Sequence, residues 1–208
     1  VILFLFIAFF FSAFDAVSQS AGDYRTRNNG NWNGANVWQI RNAANTAWNN
    51  TANYPGVDNS LPSIYIQNNV TLNVTPAYHV NNVIFNSNNT ITISNGQTLY
   101  VDGSISGTGT ISVAGILYVA GNIGTGITVN GNGTIYIEGA FTPASYSTTS
   151  GTVNYSGLSD QTVSVYSYNN LTVSGSGVKT IANNITISGN LNVSGTATLA
   201  SDIYQISR

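Results

Sequence analysis

Every sixth residue from Ile93 to Phe141 is apolar, with Leu99, Ile105, Ile111, Leu117, Ile123, Val129 and Ile135 filling the steps between. In a chain that is 42% hydrophobic, such an unbroken run has chance odds on the order of one in a thousand or less. Glycine keeps the same step at Gly103, Gly109, Gly115 and Gly121, lapses at Ile127, and resumes at Gly133 and Gly139. The unit returns later in the segments that begin at Ile185, Leu191, Ala197 and Ile203. It runs apolar, polar, apolar, small, Gly, polar.

Two inward side chains around one outward side chain make a three-residue strand, and Gly is then expected to supply the backbone freedom for a corner. Three such sides close one coil of about eighteen residues. The fold predicted is all-β: a parallel β-solenoid, right-handed, with residues 63–208 forming about eight coils stacked roughly 4.8 Å apart. Triplets such as Ile64-Tyr65-Ile66, Ile91-Thr92-Ile93 and Ile135-Tyr136-Ile137 are its strands. The alternative is a β-sandwich, whose strands run longer and turn every eight to twelve residues; the six-residue step disfavours it.

Upstream the text changes. Residues 21–62 hold all three Trp (Trp32, Trp38, Trp48) and the turn Tyr54-Pro55-Gly56, and are expected to cap the first coil. Residues 1–20 open with eleven apolar residues, Val1 to Phe11, too short for a transmembrane helix. Two readings stand for them. One is a signal-peptide core followed by small residues. The other is a retained strand, with Ile2, Phe4, Phe6, Phe9 and Phe10 docking on a neighbouring subunit.

The stretch Ala21-Gly22-Asp23-Tyr24-Arg25-Thr26-Arg27, then Gly30-Asn31-Trp32, Val37-Trp38 and Tyr54-Pro55-Gly56, resembles the start of large secreted repeat proteins of Bacteroidota. Residues 151–180 are similar to the recurrent unit of the same proteins. The resemblance covers nearly all of residues 21–208 and implies a family style of β-solenoid without a specific chemistry. It implies secretion, and an adhesin-like role at the cell surface or in the extracellular matrix.

The charge census empties most enzyme classes. Only 6% of residues are charged, with five Lys and Arg in total, which is too few for the stripe that phosphate neutralisation requires. Nucleic acid is therefore not an expected partner. Zero Cys removes disulfides, thiolate metal sites and Cys nucleophiles. His79 is the single His, so no multi-imidazole metal set can form. Asp102 and Glu138 stand two coils apart, about 10 Å, a separation a glycosidase could use. Each, however, immediately precedes a corner Gly, and both read as solvated turn residues. Lys179, in a turn-rich stretch, also reads as solvated. No enzyme activity and no cofactor are expected.

Nine Asn-x-Ser/Thr sequons occur, among them Asn69, Asn154, Asn170 and Asn184. Asn and Thr at equal places in successive coils are expected to form hydrogen-bond ladders, with glycosylation the lesser reading. Tyr100, Tyr118 and Tyr136 recur once per coil and predict an outward aromatic stripe, suited to stacking on sugars or on another rod. A solenoid also leaves strand edges at its ends. The function expected is an extracellular structural or adhesive protein that joins head-to-tail into a homo-oligomer or filament, with Ile203 and Ile206 at the trailing end. The alternatives are a carbohydrate-binding module and a polysaccharide-active enzyme.

Overall fold

The computed structural model describes residues 18–56, 60–73, 77–201 and 204–207. Ile2, Phe4, Phe6, Phe9, Phe10 and Ile203, and with them both readings of the leading apolar run, lie outside the described residues.

The chain winds as a parallel β-solenoid with a mean step of about 19 residues per turn. One face is a seven-stranded sheet in the order Leu191–Val193, Asn170–Val173, Thr152–Tyr155, Thr134–Ile137, Ile116–Val119, Thr98–Val101, Tyr78–Val80. Each neighbouring pair is parallel and in register. A second face carries Val83–Ile93, Ile105–Val113, Ile127–Asn130 and Ser145–Ser147, also parallel. The third face of the regular section is narrow, held by single bridges from Ile105 to Ile123 and from Ile123 to Phe141. Beyond it, two three-stranded sheets continue the coil, Gln161–Val163 with Val178–Ile181 and Thr198–Ser201, and Ser167–Tyr168 with Ile185–Ile187 and Ile206–Ser207.

The six-residue step is the core of this winding. All nine residues from Ile93 to Phe141 are buried, none more than 3% exposed. Successive thirds of the coil stack like on like, Ile111 on Val129, Leu117 on Ile135 and Ile123 on Phe141. The eighteen-residue step recurs further on, from Ile135 to Val153, Val153 to Leu171 and Gln161 to Lys179, but it does not hold throughout. Pairings such as Ile91 with Ile111, Tyr78 with Leu99 and Leu171 with Leu191 span longer coils. The longer coils explain why the stack has seven strands in its main sheet where a uniform repeat gave about eight.

The periodic glycines serve a different purpose from the one expected. Gly103, Gly109, Gly115, Gly121, Gly133 and Gly139 do not adopt left-handed φ values. A Cβ on Gly115 would fall on the Gln97 carbonyl oxygen, and one on Gly133 on that of Gly115. These glycines let one coil settle closely onto the one before, Gly109 against the Phe85 ring and Gly115, Gly121, Gly133 and Gly139 against backbone carbonyls. Left-handed φ is used elsewhere, as at Gly107 (+86°), where the strand Ile105–Val113 shifts register as it rounds a corner.

Corners are tied by a ladder from side chain to main chain. Asn82 Oδ1 accepts the Ser104 N–H at 2.9 Å, Ser104 Oγ accepts that of Asn122 at 2.9 Å, and Asn122 Oδ1 accepts that of Ala140 at 2.7 Å. Each bond joins equal places in successive coils. Several sequon asparagines do the same work: Asn69, Asn170 and Asn184 accept the N–H groups of Thr90, Asn190 and Gln205.

The first coil is covered. Tyr24–Thr26 pairs in parallel with Ile64–Ile66 on one side and antiparallel with Trp38–Arg41 on the other, and Trp48–Asn50 follows antiparallel. Tyr24, Trp32, Trp38, Tyr54 and Tyr78 pack ring against ring over this end of the core, with centroids 5.0–6.3 Å apart. Trp32 Nε1 donates to the Pro55 carbonyl at 3.0 Å, so the indole is buried with its donor satisfied. The Asp23 carboxylate accepts the N–H groups of Ser20 (2.7 Å) and Ser63 (3.1 Å). Burial raises its pKa above the ordinary range, and those two bonds offset part of the rise.

Candidate functional site

The outward column of the main sheet runs His79, Tyr100, Tyr118, Tyr136, Asn154 and Thr172 in strand register. Equal register fixes equal side-chain direction, so the rings stack. Centroids lie 4.2 Å apart for His79 and Tyr100, 4.6 Å for Tyr100 and Tyr118, and 4.2 Å for Tyr118 and Tyr136. The interplanar angles are 6°, 8° and 11°. The three expected tyrosines are thus brought together, and His79 extends their ladder by one rung. Its place was obscured by the longer coil between Tyr78 and Leu99. The matching patterns Tyr78-His79-Val80 and Leu99-Tyr100-Val101 carried the signal.

Stacking consumes the ring faces. Each inner ring meets a neighbour above and below, so the column offers edges and hydroxyls to solvent. A sugar stacked face-on along the stripe, as the sequence suggested, has no free face at Tyr100 or Tyr118.

Beside the ladder runs a groove of about 180 Å³ lined by Tyr100, Tyr118, Tyr136, Asp102, Ala120 and Glu138 among others. Small Ala120 between the two carboxylates opens the notch. Asp102 and Glu138 therefore do face one groove, about 10 Å apart by rung spacing. Lys and Arg are absent from its lining. Burial first, then the neighbouring Tyr136 and Tyr100 phenols, hold the Tyr118 hydroxyl above its ordinary pKa.

The last described coil is built differently from the first. The inward columns Leu99–Leu117–Ile135–Val153–Leu171 and Val101–Val119–Ile137–Tyr155–Val173 end on Leu191 and Val193. Within the stack the members of these columns are buried, whereas Leu191 is 42% and Val193 48% exposed. Ile206, one of the expected assembly residues, is also exposed and lies with Ile187, Gly189, Asn190 and Leu191 around an open hollow. No described strand pairs with the outer edges of Leu191–Val193, Thr198–Ser201 or Ile206–Ser207.

Two polar clusters inside the coil were not anticipated. Lys179 is not solvated but fully buried, and its Nζ donates to the carbonyls of Gly157 (2.8 Å), Ser159 (2.7 Å) and Ser176 (2.8 Å). Three donors meet three acceptors, which is why an ammonium is tolerated there. Burial still lowers its pKa, with Asp160 offsetting part of that. The alternation Val178-Lys179-Thr180-Ile181 was the available signal, since inward Ile181 puts Lys179 on the same face. The second cluster gathers Phe141, Tyr146, Tyr155, Tyr166 and Tyr168 in edge-on and tilted contacts.

Among the described residues, no group of three or more His, Asp or Glu side chains is placed to hold a metal ion. Among the same residues, no helix is long and apolar enough to cross a membrane. Comparison of the chain with protein-family models, curated proteins and solved structures finds no significant match. The functional reading therefore rests on the geometry.

Proposed function

We propose that this chain is an extracellular structural, adhesive β-solenoid that associates with further copies through its open end. The observation that carries the reading is the contrast between the two ends. Tyr24, Trp32, Trp38, Tyr54 and Tyr78 plug the first coil, while Leu191, Val193 and Ile206 stand exposed on the last described one. Exposed members of otherwise buried columns, beside three edges with which no described strand pairs, favour the addition of another rung. A second copy supplies matching chemistry, because its own end carries the same columns. Sparse charge, the absence of Cys and Met and the sequence resemblance to surface repeat proteins support an exposed, extracellular setting. The reading assigns the molecule no catalytic step.

Electron microscopy of the purified chain at rising concentration tests this. The expected result is particles joined through the coil that carries Leu191, Val193 and Ile206. Single short rods at every concentration would overturn it.

A second reading, a glycan-binding rod, is favoured by one observation: the groove that places Asp102 and Glu138 beside the tyrosine hydroxyls. Binding there would work through hydrogen bonds to carboxylates and phenols, with ring edges as the apolar wall.

A further inference from the structure

We propose that the stacked pair Tyr118 and Tyr136 is a site of oxidative cross-linking, at which a peroxide-driven one-electron oxidation joins two successive coils through a dityrosine bond. The inference is independent of what the rod's end binds.

Three observations carry it. The chain has neither Cys nor Met, the side chains that oxidants ordinarily consume first. One-electron oxidation is thereby directed to aromatic residues. Among these, Trp32, Trp38, Tyr78, Tyr155 and Tyr168 are fully buried, whereas Tyr100, Tyr118 and Tyr136 line an open groove. Finally, Tyr118 and Tyr136 already lie face to face, with centroids 4.2 Å apart and planes within 11°. Tyr100 and Tyr118 stack in the same way but farther apart, at 4.6 Å, whereas Tyr146–Tyr166 and Tyr166–Tyr168 are edge-on at 6.0 and 6.4 Å and Tyr146–Tyr168 is tilted at 5.9 Å. Parallel stacking brings the ring carbons of two phenols together before reaction, and strand register holds them there, which replaces a bimolecular encounter with a local one.

The step balances as follows. Each phenol loses one electron and its hydroxyl proton, giving two phenoxyl radicals. Asp102 and Glu138 supply carboxylates in the same groove to take up those protons. The radicals couple through the ring carbons ortho to oxygen, and one carbon–carbon bond forms. The two ortho hydrogens then leave as protons while both oxygens regain theirs, restoring the aromatic rings. Hydrogen peroxide accepts the two electrons and two protons and becomes two waters. The product is the chain less two hydrogen atoms.

The test is to treat the full chain with a peroxidase and hydrogen peroxide. Dityrosine fluorescence and intact mass are then read, and the bond is mapped by thermolysin digestion. The expected product is a single chain lighter by two hydrogens, with the bond between Tyr118 and Tyr136. Tyr118→Phe, which keeps the stack but removes the middle phenol from both tyrosine pairs, should reduce the intrachain product to background. Tyr204→Phe should leave it unchanged. Covalent chain dimers as the main product, undiminished yield in Tyr118→Phe, or no dityrosine at all would each overturn the proposal.

Discussion

The hydroxyls of Tyr155 and Tyr168 meet at 2.9 Å inside the core, and each continues into the backbone of Ser164. The Ser164 N–H donates to Tyr155 at 3.0 Å, and Tyr168 donates to the Ser164 carbonyl at 2.6 Å. Phe141, Tyr146 and Tyr166 pack around the pair. This cluster fills the irregular part of the rod, where the six-residue step no longer supplies an aliphatic at each face.

The cluster predicts an alkaline limit to stability. Burial pushes the Tyr155 and Tyr146 phenols from 10.0 up to about 12, and Tyr168 higher still. Folded-state values above unfolded ones mean that the native state holds these protons more tightly. Their stabilising contribution is complete below pH 10 and is lost as pH rises through the folded values. Tyrosinate absorbance followed with circular dichroism should show several of the twelve Tyr ionising only as the structure melts. All twelve ionising together near pH 10 in an intact fold would contradict the buried cluster.

Lys179 yields a second prediction. Lys179→Met keeps the length of the side chain but leaves the Gly157, Ser159 and Ser176 carbonyls without its three hydrogen bonds. Such losses cost about 1–3 kcal/mol, read as a lower denaturant midpoint. An unchanged midpoint would show that the ammonium contributes nothing net.

A pair of glycines separates close approach from mere flexibility. Gly133→Ala puts a methyl onto the Gly115 carbonyl oxygen of the preceding coil, whereas the nearest atom to a Cβ at Gly124 is 3.3 Å away. Neither position has left-handed φ. Overpacking of the first kind costs about 1–3 kcal/mol or more. Thermal unfolding should therefore show a clear loss for Gly133→Ala and a much smaller one for Gly124→Ala.

The corner ladder is open to the same approach. Asn122→Ala removes the acceptor for the Ala140 N–H, held at 2.7 Å. The expected cost is about 1 kcal/mol. Hydrogen exchange at Ala140 should accelerate while distant amides such as Leu171 keep their protection.

The sequence was most legible where the coil is most regular. From Leu99 to Phe141, equal spacing put inward residues, corners and the tyrosine column in their places, because a constant repeat turns sequence distance directly into rung number. It was least legible where coils lengthen. His79 lies one longer coil before Tyr100, so constant spacing missed it. Lys179 was read as solvated from its turn-rich surroundings, while the alternation of Lys179 with Ile181 sends it inward. The glycines were located correctly but explained by turning, since the atoms that crowd them belong to another coil and are visible only in three dimensions.

The central claim, that the open end is an association surface, is tested most directly by sedimentation velocity. The full chain should be compared with the double variant Leu191→Lys, Val193→Lys over a wide concentration range. Both residues are exposed, so the variant should keep its circular dichroism spectrum. The parent should assemble with rising concentration and the variant should remain a monomer. A parent chain that remains monomeric throughout, or a variant that assembles as readily, would contradict the claim.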